Sequence, residues 1–213
     1  MGNPATASDS LTNGNVTSTA QATATYGILK AQASIEKPVI EPFNFATGTA
    51  TFSDVITVTG GSGPGTISFE FQITGDLQDT NASGAQPSRA DLNLFLPESF
   101  QSYNEQFFVE SGVSRALNET VVTSPLDFTF GEPFIMDVKL EVFVQLEETD
   151  QGTAFANLLN TTTMTALTVV GATGPVTASG QSGTTNPVPE PASFVFLAST
   201  ILALALAPGS RWR

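Results

Sequence analysis

The sequence contains no cysteine and no histidine. Without thiols there is no disulfide framework, no thiolate metal site and no cysteine nucleophile. Without imidazole, a Ser-His-Asp triad, a histidine general base and a histidine-rich zinc site are excluded. Basic residues are almost as scarce, 7 Lys and Arg against 20 Asp and Glu, for a formal net charge of −13. Lys30, Lys37, Arg89, Arg115 and Lys139 are scattered singly, and Arg211 and Arg213 stand together near the C-terminus. No cluster exists to displace counterions from phosphates, so no nucleic-acid partner is expected. Tryptophan occurs once and tyrosine twice, against 16 phenylalanines. The aromatic platforms that stack on sugars would therefore have to be built mainly from phenylalanine.

What the chain does have is alternation. Ile67, Phe69, Phe71 and Ile73 alternate with Ser68, Glu70, Gln72 and Thr74, the period of a strand with one buried and one wet face. Phe134, Met136, Val138, Leu140, Val142, Val144 and Leu146 repeat the pattern around Asp137, Lys139, Glu141 and Gln145. This long strand is expected to bulge midway. Further strands are expected at 26–31, 51–59, 92–96, 106–111, 127–130 and 165–170, and one short helical turn at 154–159. Turn-formers such as Gly60-Gly61-Ser62-Gly63-Pro64-Gly65 separate them. The expected fold is all-β, an antiparallel β-sandwich of jelly-roll-like type over residues 21–170, preceded by a disordered segment, 1–20.

Residues 171–187 read as a flexible Gly/Ser/Thr-rich linker. Val188, Pro189, Glu190 and Pro191 follow, and the two proline rings hold an extended, protease-accessible strip. Residues 192–207 are a run of 16 without a charge. As a helix it would span about 24 Å at about 1.5 Å per residue, against about 30 Å of bilayer core. Extended to 208 and flanked by Trp212, Arg211 and Arg213, it reads as a single transmembrane helix, 192–208. The arginines place the C-terminus in the cytoplasm and the body outside. The segment 188–213 carries Glu190 against Arg211 and Arg213, which leaves −14 on the body.

Pro189-Glu190-Pro191, a short apolar helix and terminal arginines, in that order, resemble the PEP-CTERM sorting signal of exopolysaccharide-producing Gram-negative bacteria. The resemblance covers roughly residues 186–213. It implies that an exosortase, a membrane cysteine protease, recognises Val188, Pro189, Glu190 and Pro191 as substrate. It implies passage through the inner membrane, then display on the cell surface or release into an extracellular polysaccharide matrix. The same tail is also called an ice-binding-protein C-terminal domain, a name that describes the tail and not the body. Proteins with this tail carry an N-terminal signal peptide, whereas MGNPATASDSLTNGN shows neither a basic nor an apolar region, so a truncated start is expected.

No catalytic, cofactor-binding or metal residue is assigned in the body. A paired-carboxylate glycosidase needs only two acids about 5 to 9.5 Å apart. Glu70, Glu141, Glu147 and Asp137 are the candidates, although each sits where a solvated strand face explains it. Asp76, Asp79 and Asn81, or Glu147, Glu148 and Asp150, offer oxygen ligands for calcium, and neither set matches an EF-hand loop. The pairs Thr23 with Thr25, Thr49 with Thr51 and Thr57 with Thr59 follow from threonine's β-propensity. The expected function is a non-enzymatic surface or matrix protein associated with exopolysaccharide. The alternatives are a secreted carbohydrate-active enzyme and a calcium-dependent adhesin.

Overall fold

The computed structural model describes residues 4–40, 43–80, 88–182 and 185–186. Among the described residues every regular element is a strand and every pairing is antiparallel. The strands are β1 (Ala5–Asn13), β2 (Val16–Thr25), β3 (Ile28–Lys37), β4 (Asn44–Thr59), β5 (Pro64–Asp79), β6 (Ser88–Leu96) and β7 (Gln101–Val109). They continue with β8 (Ser114–Val122), β9 (Leu126–Thr129), β10 (Pro133–Leu146), β11 (Gly152–Val170), β12 (Thr177–Gly180) and β13 (Thr185–Asn186). One sheet runs β1-β2-β3-β11-β5-β8, with β9 beside the first residues of β5. The other runs β13-β12-β4-β10-β6-β7.

The pairing is nested. β3 pairs with β11, β4 with β10, β5 with β8 and β6 with β7, so the chain between residues 28 and 170 folds back on itself like one long hairpin. From β3 to β6, and again from β9 to β12, the chain passes alternately from sheet to sheet, and the two sheets pack face to face around one hydrophobic cluster. The alternation on β5 and β10 appears as expected, with Phe69, Phe71 and Ile73 of β5 and Val138, Leu140 and Val142 of β10 all buried in that core. Each such side chain contributes roughly 1.5–3 kcal/mol through burial.

Four local expectations are corrected. Residues 5–20 are not disordered but form β1 and the first half of β2, a hairpin in continuous register from Ala5 opposite Ala24 to Asn13 opposite Val16. The 154–159 stretch is not a helical turn but part of β11, where Ala154, Ala156 and Leu158 face the core and pairing with β3 and β5 on both sides overrides helix-forming composition. The irregularity expected in β10 lies in β11 instead. β10 keeps register with β4 from Pro133 to Leu146, while β11 shifts between Asn157 and Thr161, where Gly75 leaves room for the Asn157 carbonyl. The 171–187 linker contains β12, paired with the end of β4 and tied down by the Asp54 carboxylate, which accepts from Ser182 N at 3.1 Å and Ser182 Oγ at 2.8 Å. Residues 188–213, with the sorting motif and the 192–208 helix, lie outside the described residues. Among the described residues no helix is long and apolar enough to cross a membrane.

The core tapers. Around β5, β6 and β10 it holds Phe, Leu and Ile, whereas the walls where β2 and β3 meet β4 are Ala22, Ala31, Ala33, Ala46 and Ala50. At the narrowest point stands Gly48, where a Cβ would lie 2.5 Å from the Gln32 carbonyl oxygen and 3.1 Å from that of Gln21. Both obstacles are backbone, so neither can turn aside. At one end of the body Lys37 is fully buried, its amine donating to the Glu147 carbonyl at 2.6 Å. The Glu147 N–H in turn donates to Asp150 Oδ2 at 2.7 Å, which fixes the β10–β11 turn.

Gly48→Ala is expected to destabilise the body by about 1–3 kcal/mol through overpacking. Thr49→Ala, at the exposed neighbour, should stay within about 0.5 kcal/mol of the parent. Guanidinium unfolding midpoints of the two variants check the pair.

Candidate functional site

Because β10 sends its even-numbered residues into the core, it presents Ile135, Asp137, Lys139, Glu141, Phe143 and Gln145 on the outer face of the second sheet. Register places four rungs across this face. Ser53, Asp137 and Phe95 form the first, with Ser102 beyond. Thr51, Lys139, Asn93 and Asn104 form the second. Thr49, Glu141, Asp91 and Gln106 form the third, and Thr47, Phe143, Arg89 and Phe108 the fourth. The two middle rungs are a connected polar floor. Asn104 donates to Asn93 at 2.8 Å and Gln106 to Asp91 at 2.7 Å. Lys139 Nζ meets Glu141 at 2.5 Å, and Arg89 Nε lies 3.1 Å from Asp91 Oδ2, a charge contact rather than an aligned hydrogen bond.

Apolar rings close both ends of the floor. At one end Phe45 stacks on Phe143 with centroids 6.3 Å apart and 19° between planes, Phe43 lies 6.0 Å from Phe45, and the Arg89 guanidinium sits 4.8 Å over Phe143. Phe45 is 58% exposed and Phe108 50%. At the other end, about 20 Å away for six residues of strand, stand Phe95, Ile135 and the β6–β7 turn. A cleft of about 490 Å³ opens here among Thr51, Ser53, Asn93, Phe95, Asp137 and Lys139.

The β6–β7 turn holds Phe100 at φ 54° and 86% exposed, the one non-glycine residue with positive φ among the described residues. For an aromatic side chain the left-handed region costs roughly 1–2 kcal/mol. The turn is fastened from two sides. Both Glu98 carboxylate oxygens accept from Ile135 N at 3.1 Å, and Gln101 exchanges two bonds with the Asp127 backbone, at 2.7 and 3.2 Å.

Of the carboxylates singled out in the sequence, the structure brings Asp137 and Glu141 to one face, about 13 Å apart along β10. Glu70 is on the outer face of the other sheet, accepting from Thr165 Oγ1 at 2.8 Å, and Glu147 is exposed in the β10–β11 turn. The calcium candidates do not converge. Asp76 is exposed and Asp79 buried, Asn81 lies outside the described residues, and Asp150 is turned inward to the turn backbone. Among the described residues no three acids are grouped to hold a metal ion. Thr49 and Thr51 line the face just described, whereas Thr23 and Thr25 belong to the first sheet.

Sequence reasoning missed Asp91, directly opposite Glu141, together with Arg89, Asn93, Asn104 and Gln106. It also missed the phenylalanines, although a signal was there. Phe95, Phe108 and Phe143 each sit between two buried apolar residues, on the phase where a half-buried strand carries polar side chains.

Beneath the edge of this face, on the inner side of β7, the Tyr103 hydroxyl donates to Glu105 at 2.8 Å. Burial, reinforced by the Glu105 carboxylate, pushes Tyr103 up from 10.0 to about 12. The folded chain holds this proton more tightly than the unfolded chain, so its contribution is complete below about pH 10 and is lost as pH rises through about 12. Chemical unfolding at a series of alkaline pH values is expected to show a loss of stability across that window that is smaller in Tyr103→Phe.

Comparison with protein-family models, curated proteins and solved structures finds no match to this chain.

Proposed function

We propose that this chain is an exported cell-surface or extracellular-matrix protein, sorted through its PEP-CTERM tail and associated with exopolysaccharide. In this reading the body is a jelly-roll-like sandwich, a reading supported by the nested pairing of β3 to β11, β4 to β10, β5 to β8 and β6 to β7. Beyond β13 the chain leads, in this reading, to a single transmembrane helix, 192–208. The exosortase recognises Val188, Pro189, Glu190 and Pro191, while Arg211 and Arg213 hold the C-terminus on the cytoplasmic side of the inner membrane until processing. The observation that carries this is the order Pro-Glu-Pro, uncharged run of 16, two arginines. A body at −14 agrees with it, since the protein neither binds nucleic acid nor adheres to anionic lipid by charge.

One observation favours the alternative, a secreted carbohydrate-active enzyme. Asp91 and Glu141 are directly opposed on neighbouring strands of one face, and a paired-carboxylate mechanism requires two acids on one face. Each carboxylate, however, already holds a cation on the same face, Arg89 for one and Lys139 for the other. Both carboxylates are thus engaged in ion pairs within the face, so binding is the primary reading. Among the described residues no grouping of acids favours the calcium-dependent adhesin.

Expression in an exosortase-bearing host, with an export signal ahead of Met1, tests the sorting role. Mass spectrometry is expected to find a mature C-terminus near Pro189, and an intact Arg213 in the variant with Pro189→Ala, Glu190→Ala and Pro191→Ala. An intact Arg213 in both samples would leave a plain membrane anchor and remove the sorting role.

A further inference from the structure

We propose that the outer face of the second sheet binds a neutral polysaccharide chain, with Phe100 held in its strained conformation as a ring-stacking contact at one end. The inference deepens the exported, polysaccharide-associated reading and rests on it for the partner's class. The site itself is argued from geometry.

An exposed aromatic on the solvent phase of a strand has no role in the core. On this face Phe45, Phe95 and Phe108 are exposed and Phe143 is half-buried, while the outer face of the first sheet carries only the half-buried Phe155 among its described residues. Its polar side chains, such as Thr19 bonded to Ser34 at 2.6 Å and Gln72 to Asn118 at 2.9 Å, have no exposed ring beside them among the described residues. Rings at both ends of a polar floor match the two kinds of surface on a pyranose, an apolar C–H face and a rim of hydroxyls. Asn93, Asn104, Gln106, Asp91 and Glu141 supply amide donors and carboxylate acceptors for that rim.

Charge selects among polysaccharides. The two cations of the face, Arg89 and Lys139, are each paired with a carboxylate, and Asp137 adds a further negative charge. Lys37 is buried, and Lys30 and Arg115 belong to the other sheet. An anionic polymer would find no free cation on this face and a repelling body, so the ligand is neutral.

Phe100 supplies the independent support. A bulky residue at φ 54° persists only when its surroundings enforce it, and here Glu98 and Gln101 fasten the turn to β10 and to β9. The turn lies one residue beyond the last rung, Leu96 opposite Gln101, at the end of the sheet that carries Phe95 and Ile135. Glycine at this position would relieve the backbone, whereas phenylalanine leaves a ring 86% exposed and free to stack on a ligand.

The test is affinity electrophoresis of the full chain in mild detergent, through native gels containing dissolved glucan, mannan, galactan or xylan, with alginate as the polyanion. At least one neutral polymer is expected to retard the protein, and alginate is not. Phe100→Gly should weaken that retardation by about tenfold, the size of one lost stacking contact, while its melting temperature stays level or rises. Asn93→Ala with Asn104→Ala should weaken it similarly, and Thr120→Ala on the other sheet should leave it unchanged. No retardation by any neutral polymer, or retardation by alginate alone, overturns the proposal. So does parental binding by both Phe100→Gly and the double asparagine variant. A Phe100→Gly that melts below the parent makes the residue structural and removes it from the site. The mass of the mature C-terminus is read separately, so an unprocessed tail on a binding body refutes the sorting role alone.

Discussion

The close approach of β4 to the β2–β3 pair at Gly48 sets the shape of the body. Two sheets packed through ordinary side chains lie about 10 Å apart. At Gly48 a single Cβ would strike the Gln32 carbonyl, and around it the buried residues are the small Ala22, Ala31, Ala33, Ala46 and Ala50. On the opposite side Phe69, Phe71, Leu92 and Leu140 hold the sheets at full thickness. The body is therefore a wedge. At its thin edge β1 is exposed along its whole length.

The thick side of the wedge gives β10 two different faces. Its even-numbered residues are packed and cannot vary in size without cost. Its odd-numbered residues face water and are free to take any chemistry the strand tolerates. That freedom is used unevenly, with ion pairs and amides in the middle rungs and rings at the ends. Strand pairing holds these groups at fixed spacings, so the polysaccharide proposed for this face would meet a surface with little order left to impose.

How far this could be read from the sequence depended on side-chain size. β5 and β10 were legible because large apolar residues recur at every second position. β1 and the first half of β2, within the 1–20 segment expected to be disordered, carry almost no large apolar groups in ATASDSLTN and VTSTA. The wedge needs none there, and small residues give a weak periodic signal. Ala154 to Leu159 looked helical because alanine and leucine favour helices in isolation, yet pairing on both edges of β11 decides the outcome. Glu141 and Asp137 were noticed as acids. Asp91 and Asn93 were not, because their place beside Glu141 and Lys139 comes from the register of β6 on β10 and not from any local pattern. Nor does any local pattern mark Phe100, whose conformation is imposed by contacts from β9 and β10.

The few basic residues of the body have a further consequence. Lys30 and Lys37 lie in β3, Arg89 in β6, Arg115 in β8 and Lys139 in β10, so every one is inside a paired strand and none is in a turn. A trypsin-like protease needs several residues of extended, unpaired chain around a lysine or arginine, which these positions yield only when a strand leaves its sheet. Cleavage after basic residues is then governed by unfolding of the body. In surroundings rich in secreted proteases, the scarcity and placement of positive charge make the folded body durable.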